Sequence, residues 1–463
     1  MLELVNETLR DLHHTVLVAL LRLPLWACVL IYGYALFSVL RFVSRFSFIN
    51  VVRTIEPQQS ISFPSARGTV TFAELVRRMP EFRTGAWAVM NPLLCHGHLQ
   101  TMFAGLRSFR FADRLYFGRE TLYLPDGAQV SLDRVIPKAQ FAKEAAADGQ
   151  LPDFTRRLTA AELQEFADSS KPIFLVLHGL SGSSSESYIR CLFARMPDFE
   201  CMVLNSRGCG KTPLTTPVLF NGFWTYDLKH TVLRLRKAFP KRPIYAAGFS
   251  LGGSILANYV GQTGEESGLD LAVVVANPWD LNHSSFVFEK DFISDKIYSP
   301  IMTVPLKQMI KSHYKKLSEN PDFEPIYKEH FRHVNSIKSF DNAFTSRLFG
   351  FNCASEYYRS GSSITRVFNI RTPTLVLTAL DDPIVGGDEQ ALPLKETTLQ
   401  PYLVTVCTTL GGHLGWFRWN NERWYARPLS RFLNEFHAAQ LGKPCVDARF
   451  LPVKKRVVND TLL

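Results

Sequence analysis

Residues 245–261 read YAAGFSLGGSILANYVG, and this stretch restricts the fold more than any other. Small and apolar residues run up to Ser250, and an apolar pattern at helical spacing resumes at Leu251. The pattern predicts a buried strand over RPIYAAGF, a turn at Ser250 and a helix over SLGGSILANYV. Gly248 and Gly252 stand two residues to either side of the serine. A chain turning this sharply from strand to helix leaves no room for side chains at those two positions. The turn lifts the Ser250 hydroxyl clear of the backbone, at a helix N-terminus. Gly-x-Ser-x-Gly alone is a common accident, because both residues are common. Its context makes it informative, and that context demands an acid and a histidine further along the chain.

The rest of the chain supplies the matching alternation. PIFLVLHG, CMVLNSRG, PIYAAGFS, DLAVVVANP, PTLVLTALDDP and YLVTVCTTLGGH are short apolar, β-rich runs ending in turn or polar residues. Helical patterns over 186–195, 226–239, 251–261 and 422–438 separate several of them. Strands alternating with helices predict an α/β fold: a mainly parallel sheet covered on both faces. ETLYLPDGAQVSLDRV, residues 120–135, reads as a hairpin turning at Pro125-Asp126-Gly127. Residues 142–170 are charged and alanine-rich, and read as a surface excursion with one or two helices.

In such sheets the chemistry collects at the carboxyl ends of the strands. Ser250, Asp382 and His413 all fall there, in the order nucleophile, acid, base. An aliphatic hydroxyl is a weak nucleophile at neutral pH and needs a base to take its proton, a task suited to imidazole. The base in turn needs a carboxylate to fix its tautomer. Taken singly, His413 could be a surface or core histidine and the two aspartates an ordinary turn or helix cap. The settings LGGHLGWF and LDDPIVG, each directly after a strand, favour the catalytic reading. Asp381 stays open as an alternative to Asp382, one residue away. His178 precedes the nucleophile, so HGL is assigned to an oxyanion hole formed by the backbone N–H groups of Leu180 and Leu251. NSRGCG, residues 205–210, lacks the spacing of a phosphate loop and reads as a tight loop with Arg207 buried and paired.

With these residues in place, the chain resembles the α/β-hydrolase family of membrane-anchored abhydrolase-domain lipases and yeast medium-chain fatty acid ethyl ester synthase/esterases. The resemblance spans roughly residues 91–438. It rests on NPLLCHGHLQTMF, LHGLSGSSSESYIR, LNSRGCGKTPL, GFSLGGSILANYVG, NPWDL, LTALDDPIVG and LGGHLGWF. It implies the α/β-hydrolase fold, a triad at Ser250, Asp382 and His413, and hydrolysis of carboxylic esters of lipids. Candidate substrates are short- or medium-chain acyl esters, monoacylglycerol or phospholipid. The yeast branch adds acyl transfer from acyl-CoA to an alcohol. The acyltransferase-like His-x-x-x-x-Asp motif of some relatives has no counterpart here. A dedicated acyl-CoA:alcohol O-acyltransferase and a non-enzymatic lipid-binding scaffold are the alternatives. The chemistry requires no metal and no organic cofactor.

Residues 23–40, LPLWACVLIYGYALFSVL, form eighteen consecutive uncharged residues, the lower end of a membrane span. The run is longer than a signal-peptide core and is followed by Arg41 and Arg45. The expectation is an uncleaved single-pass anchor in the endoplasmic reticulum or another intracellular membrane. The flanking arginines lean the main domain towards the cytoplasm, although its side stays open. The net charge of +10 suits an anionic membrane surface, and no nucleic-acid motif accompanies it. Eight scattered cysteines without paired spacing signal neither a disulfide framework nor a zinc site, and Cys201 and Cys407 read as core thiols. The expected organisation is an anchor over 1–45, a connector over 46–90, a hydrolase domain over 91–440 and a basic tail over 441–463. An insertion over about 282–370 is expected to lie above Ser250 as a lid, with Phe286, Phe288, Phe292, Met302, Met309, Phe344, Phe349 and Phe351 as candidate pocket residues. Oligomeric state is not legible.

Overall fold

The computed structural model describes residues 48–65, 68–107, 109, 112–143, 151–439 and 442–453, and Gly33. Its strands are β1 (Ile49–Ile55), β2 (Ser62–Ser65), β3 (Gly68–Thr71), β4 (Trp87–Val89), β5 (Tyr116–Tyr123), β6 (Gln129–Ile136), β7 (Thr155–Arg157), β8 (Ile173–Leu177), β9 (Glu200–Asn205), β10 (Ile244–Phe249), β11 (Leu271–Val275), β12 (Thr374–Ala379) and β13 (Leu403–Thr408). Among the described residues, eleven of them form one sheet in the order β4-β1-β13-β12-β11-β10-β8-β9-β6-β5-β7. From β13 to β9 all neighbours are parallel.

The parallel strands are the apolar runs read from sequence, and IFLVL, IYAAGF, LAVVV, TLVLTA and LVTVCT are buried at every position. Burial on both faces is what a covered parallel sheet requires. The helices Ser187–Phe193, Tyr226–Ala238, Leu251–Thr263 and Ala426–Ala438 follow the expected patterns. The last starts four residues later than expected, because Phe417 and Arg423 pair as a bridge just before it. β5 and β6 form the expected hairpin, with Gly127 N–H donating to Leu124 O at 3.0 Å.

Strand order places the site. β8 leads to its neighbour β9, whereas β10 lies on the other side of β8. The chain therefore changes direction across the sheet at β8, and a crevice opens between the carboxyl ends of β8 and β10. HGL follows β8 and Ser250 follows β10.

Two regions differ from the sequence reading. Residues 46–90 were expected as a connector, yet β1 pairs antiparallel with β13 and β4 with β1. They close one edge of the sheet, and Phe48 onward forms one compact unit. β1 escapes pattern reading because its exposed face carries Ile49 and Val51 while Asn50 is buried. The Asn50 amide is used inside, accepting the Leu410 N–H at 3.1 Å. In the excursion over 142–170, the helix Ala160–Asp168 is accompanied by β7, which pairs with β5. β7 is only Thr-Arg-Arg, too short and too polar to show.

The candidate membrane run over 23–40 lies outside the described residues, Gly33 apart. No helix among the described residues is long and apolar enough to cross a membrane. The seven described cysteines are free, with Cys201 and Cys407 buried in the sheet.

Candidate active site

Ser250 occupies the turn that the sequence predicts. Its φ and ψ are 53° and −120°, a region unfavourable for a residue with a Cβ and found where surroundings enforce it. The enforcement is visible. Ser250 N–H donates to Val275 O at 2.9 Å and Ser250 O accepts Ser254 N–H at 3.1 Å. A Cβ on Gly248 would lie 2.3 Å from Gly252 O, and one on Gly252 would lie 2.5 Å from both Leu177 O and His178 O. Only hydrogen fits at either glycine.

Three strand ends then converge. Ser250 Oγ lies 2.8 Å from His413 Nε2, and His413 Nδ1 lies 2.8 Å from Asp382 Oδ2. The Asp382 side chain is fully buried and that of His413 nearly so. The second carboxylate oxygen of Asp382 accepts the N–H groups of Ile384 and Val385 at 2.8 and 3.2 Å. Its orientation is thereby fixed. A carboxylate at Nδ1 keeps the proton on that nitrogen and leaves Nε2 as acceptor for the serine hydroxyl.

Asp381 faces elsewhere. Its Oδ1 accepts the N–H groups of Gly411 and Gly412, both at 2.9 Å. Burial raises its pKa to about 7, against the lowering effect of these N–H groups. Of the two adjacent aspartates, Asp382 meets the imidazole.

His178 is not free to act as a base. Its buried ring donates from Nδ1 to Gly179 O at 2.7 Å and accepts the Ser206 N–H at Nε2, 3.1 Å away. Burial lowers its pKa to about 4, so the ring is neutral and shapes the loop. A Cβ on Gly179 would lie 3.4 Å from Ser250 Cβ, which puts the HGL turn beside the serine. Gly179 N–H is spent on the Tyr188 hydroxyl at 2.9 Å. The N–H groups of Leu180 and Leu251 have no hydrogen-bond partner among the described residues. Both residues line the cavity at Ser250.

That cavity has a volume of about 550 Å³, a size typical of small-ligand sites. Its roof is the helical region between β11 and β12, which runs from Leu281 to Asn369. Five of the eight candidate pocket residues line it: Phe288, Met302, Met309, Phe344 and Phe349. The other three do not. Phe286 and Phe292 are 61% and 73% exposed, and Phe351 packs instead on Phe223 and Tyr357. Asp341, also on the cavity wall, is held by the hydroxyls of Thr345 and Tyr358 at 2.6 and 2.8 Å. Burial raises its pKa to about 6.

A family model for the alpha/beta hydrolase fold matches residues 172–406. The chain belongs to the α/β-hydrolase fold family. It is 36% identical to a monoacylglycerol lipase of Saccharomyces cerevisiae over 410 residues, covering 84% of this chain and 90% of the relative. It is 32% identical to medium-chain fatty acid ethyl ester synthase/esterase 2 of the same yeast, covering 79% of this chain and 90% of the relative. It is 29% identical to human phospholipase ABHD3, covering 59% of this chain and 65% of that protein.

The hydrolase also builds its site from residues to which sequence assigned no role. The helix Gly97–Leu106, from the HGHLQTMF motif, packs beneath the His413 loop. Thr101 Oγ1 accepts the His413 N–H at 2.9 Å, and Gln100 Oε1 accepts that of Phe417 at 2.8 Å. His98 Nδ1 hydrogen-bonds the Tyr298 hydroxyl at 3.1 Å, joining this helix to the roof. In the NSRGCG loop, Arg207 is buried and paired as read. It forks onto Asp227, meets Asp126 at 3.0 Å and lies 4.8 Å over the Trp224 ring. Asn277 donates to Ser363 Oγ at 3.1 Å and Trp279 is fully buried, which fastens the end of β11 to the end of the roof.

Proposed function

We infer that this chain is a serine hydrolase that cleaves carboxylic esters of lipids through an acyl-enzyme on Ser250. One observation carries the reading: the unbroken hydrogen-bonded line from Ser250 Oγ through His413 to Asp382, with Ser250 in the wall of a mainly apolar cavity. Ser250 Oγ attacks the acyl carbonyl and its proton passes to His413 Nε2. Asp382 stabilises the imidazolium. The N–H groups of Leu180 and Leu251 hold the developing oxyanion. His413 then protonates the departing alcohol, leaving the acyl group on Ser250. Water, deprotonated by the same imidazole, releases the acid and restores the serine.

The lipid class follows from the cavity and from the relatives. A roof lined with Phe and Met suits an acyl chain, and the similar proteins are named as a monoacylglycerol lipase, an ester synthase/esterase and a phospholipase. The yeast synthase/esterase supports a second outcome, attack on the acyl-enzyme by an alcohol in place of water. An acyl-chain panel with and without ethanol tests both. Hydrolysis predicts free acid from lipid esters, and alcohol transfer predicts ethyl ester rising with ethanol concentration. An enzyme that turns over no acyl ester of any length would sink the reading.

Chain length is expected to respond to Met302. Met302→Trp fills part of the cavity and leaves the triad untouched. Each methylene that no longer fits loses about 0.8 kcal/mol. Two excluded methylenes therefore lower kcat/KM for the longest accepted ester on the order of tenfold, with acetate and butyrate esters unchanged. Unaltered chain preference would place the acyl chain elsewhere.

Residues 23–40 are proposed as the membrane anchor within a segment over 1–45, ahead of the hydrolase domain. The motivation is the uncharged run itself. Carbonate extraction of the full-length protein is expected to leave it in the membrane pellet. Release into the supernatant would contradict an integral span.

A further inference from the structure

His413 is carried by a loop held in an unfavourable conformation. Gly412, Leu414 and Trp416 have φ of 54°, 59° and 52°. Left-handed backbone at residues bearing a Cβ persists only where the surroundings over-determine it. The chain up to His413 is fixed by two side chains from distant parts of the sequence. Asp381, at the end of β12, takes the N–H groups of Gly411 and Gly412 on one carboxylate oxygen at 2.9 Å each. Thr101 takes the N–H of His413 at 2.9 Å, and its own hydroxyl donates to Gly97 O at 2.8 Å.

The packing leaves the loop little freedom. A Cβ on Gly412 would lie 2.4 Å from Gly97 O and 2.7 Å from Thr101 Oγ1. A Cβ on Gly97 would lie 1.9 Å from Asp381 O. Both imidazole nitrogens are committed at 2.8 Å. A backbone displacement at residue 413 is therefore passed directly to the contact with Ser250 Oγ.

We propose that Asp381 and Thr101 are positioning residues for His413, which together hold three consecutive backbone N–H groups and so aim the imidazole at Ser250. The proposal rests on the reading of Ser250, Asp382 and His413 as the triad. Neither positioning residue touches the reacting atoms. Their contribution is geometric, and small misplacements at a reacting centre cost up to about a hundredfold in rate.

The test uses the full-length protein, a soluble short-chain ester and a fluorophosphonate probe, with four variants. Asp381→Ala and Thr101→Val remove the acceptors. Asp381→Asn and Thr101→Ser retain an acceptor oxygen at the same place. The first pair is expected to lose about ten- to a hundredfold in kcat with KM within about twofold, and to lose probe-labelling rate in parallel. The second pair is expected to stay within about threefold of wild type, because the acceptor is conserved. Labelling is measured per folded molecule, with near-UV circular dichroism reporting the folded fraction, so a partly unfolded variant still gives an answer. Wild-type kcat in the first pair, equal losses in both pairs, or a loss confined to KM would each overturn the proposal. The triad reading fails separately, through persistent labelling of Ser250→Ala.

Discussion

Ser250→Ala lowers kcat on a soluble carboxylic ester by about six orders of magnitude, the loss found when a triad nucleophile is removed from a serine hydrolase. The size of the effect follows from the site. Without Oγ no acyl-enzyme forms, and His413 Nε2 loses the hydroxyl 2.8 Å away that it would deprotonate. The cavity and the N–H groups of Leu180 and Leu251 remain, so some acceleration over water persists. Folding is expected to survive, because alanine keeps the Cβ that the turn at φ 53° already accommodates. Steady-state kinetics on purified variant with an unchanged near-UV spectrum check this. A drop of less than about a hundredfold would mean that another group does the chemistry.

Asp382→Asn lowers kcat by about four orders of magnitude. The asparagine amide can turn its NH₂ towards His413 Nδ1, which moves the ring proton to Nε2. That nitrogen then has no lone pair for the serine. The fold is expected to persist, because the asparagine oxygen can still accept the N–H groups of Ile384 and Val385 that Asp382 Oδ1 holds. The adjacent change Asp381→Asn is expected to be mild, since its amide oxygen serves Gly411 and Gly412 equally well. Parallel kinetics on the two variants decide between the aspartates. Reversed effects would assign the carboxylate to Asp381.

Legibility in this chain tracks distance along the sequence and burial. The parallel strands were legible because burial on both faces forces continuous apolar runs, as in LAVVV over residues 271–275. The turn at Ser250 was legible because its constraint is local: Gly248 meets Gly252 O, four residues on. β7 was missed because it is an edge strand of only three residues, Thr-Arg-Arg, and β1 because the polar Asn50 takes one of its buried positions while Ile49 and Val51 are exposed. The support of the His413 loop was missed for a different reason. Thr101 and His413 are 312 residues apart, and although Thr101 lies within NPLLCHGHLQTMF, nothing local in that motif shows which distant backbone group its hydroxyl serves. The roof was partly legible. Aromatic and Met content marked it as a cover, yet composition could not separate Phe288, which lines the cavity, from Phe286 and Phe292, which face outward. For Phe286 and Phe288 that distinction depends on the rotation of the helix Leu281–Lys290, whose packing includes the Ser284 hydroxyl donating to Val385 O at 2.6 Å.

The central claim, a covalent acyl-enzyme on Ser250, is tested most directly by reacting the full-length protein with a fluorophosphonate and mapping the adduct by peptide mass spectrometry. Phosphonylation of one residue, Ser250, that is lost in Ser250→Ala and strongly slowed in Asp382→Asn is the predicted result. An adduct on a different residue, or none on a folded protein that still cleaves esters, would contradict it.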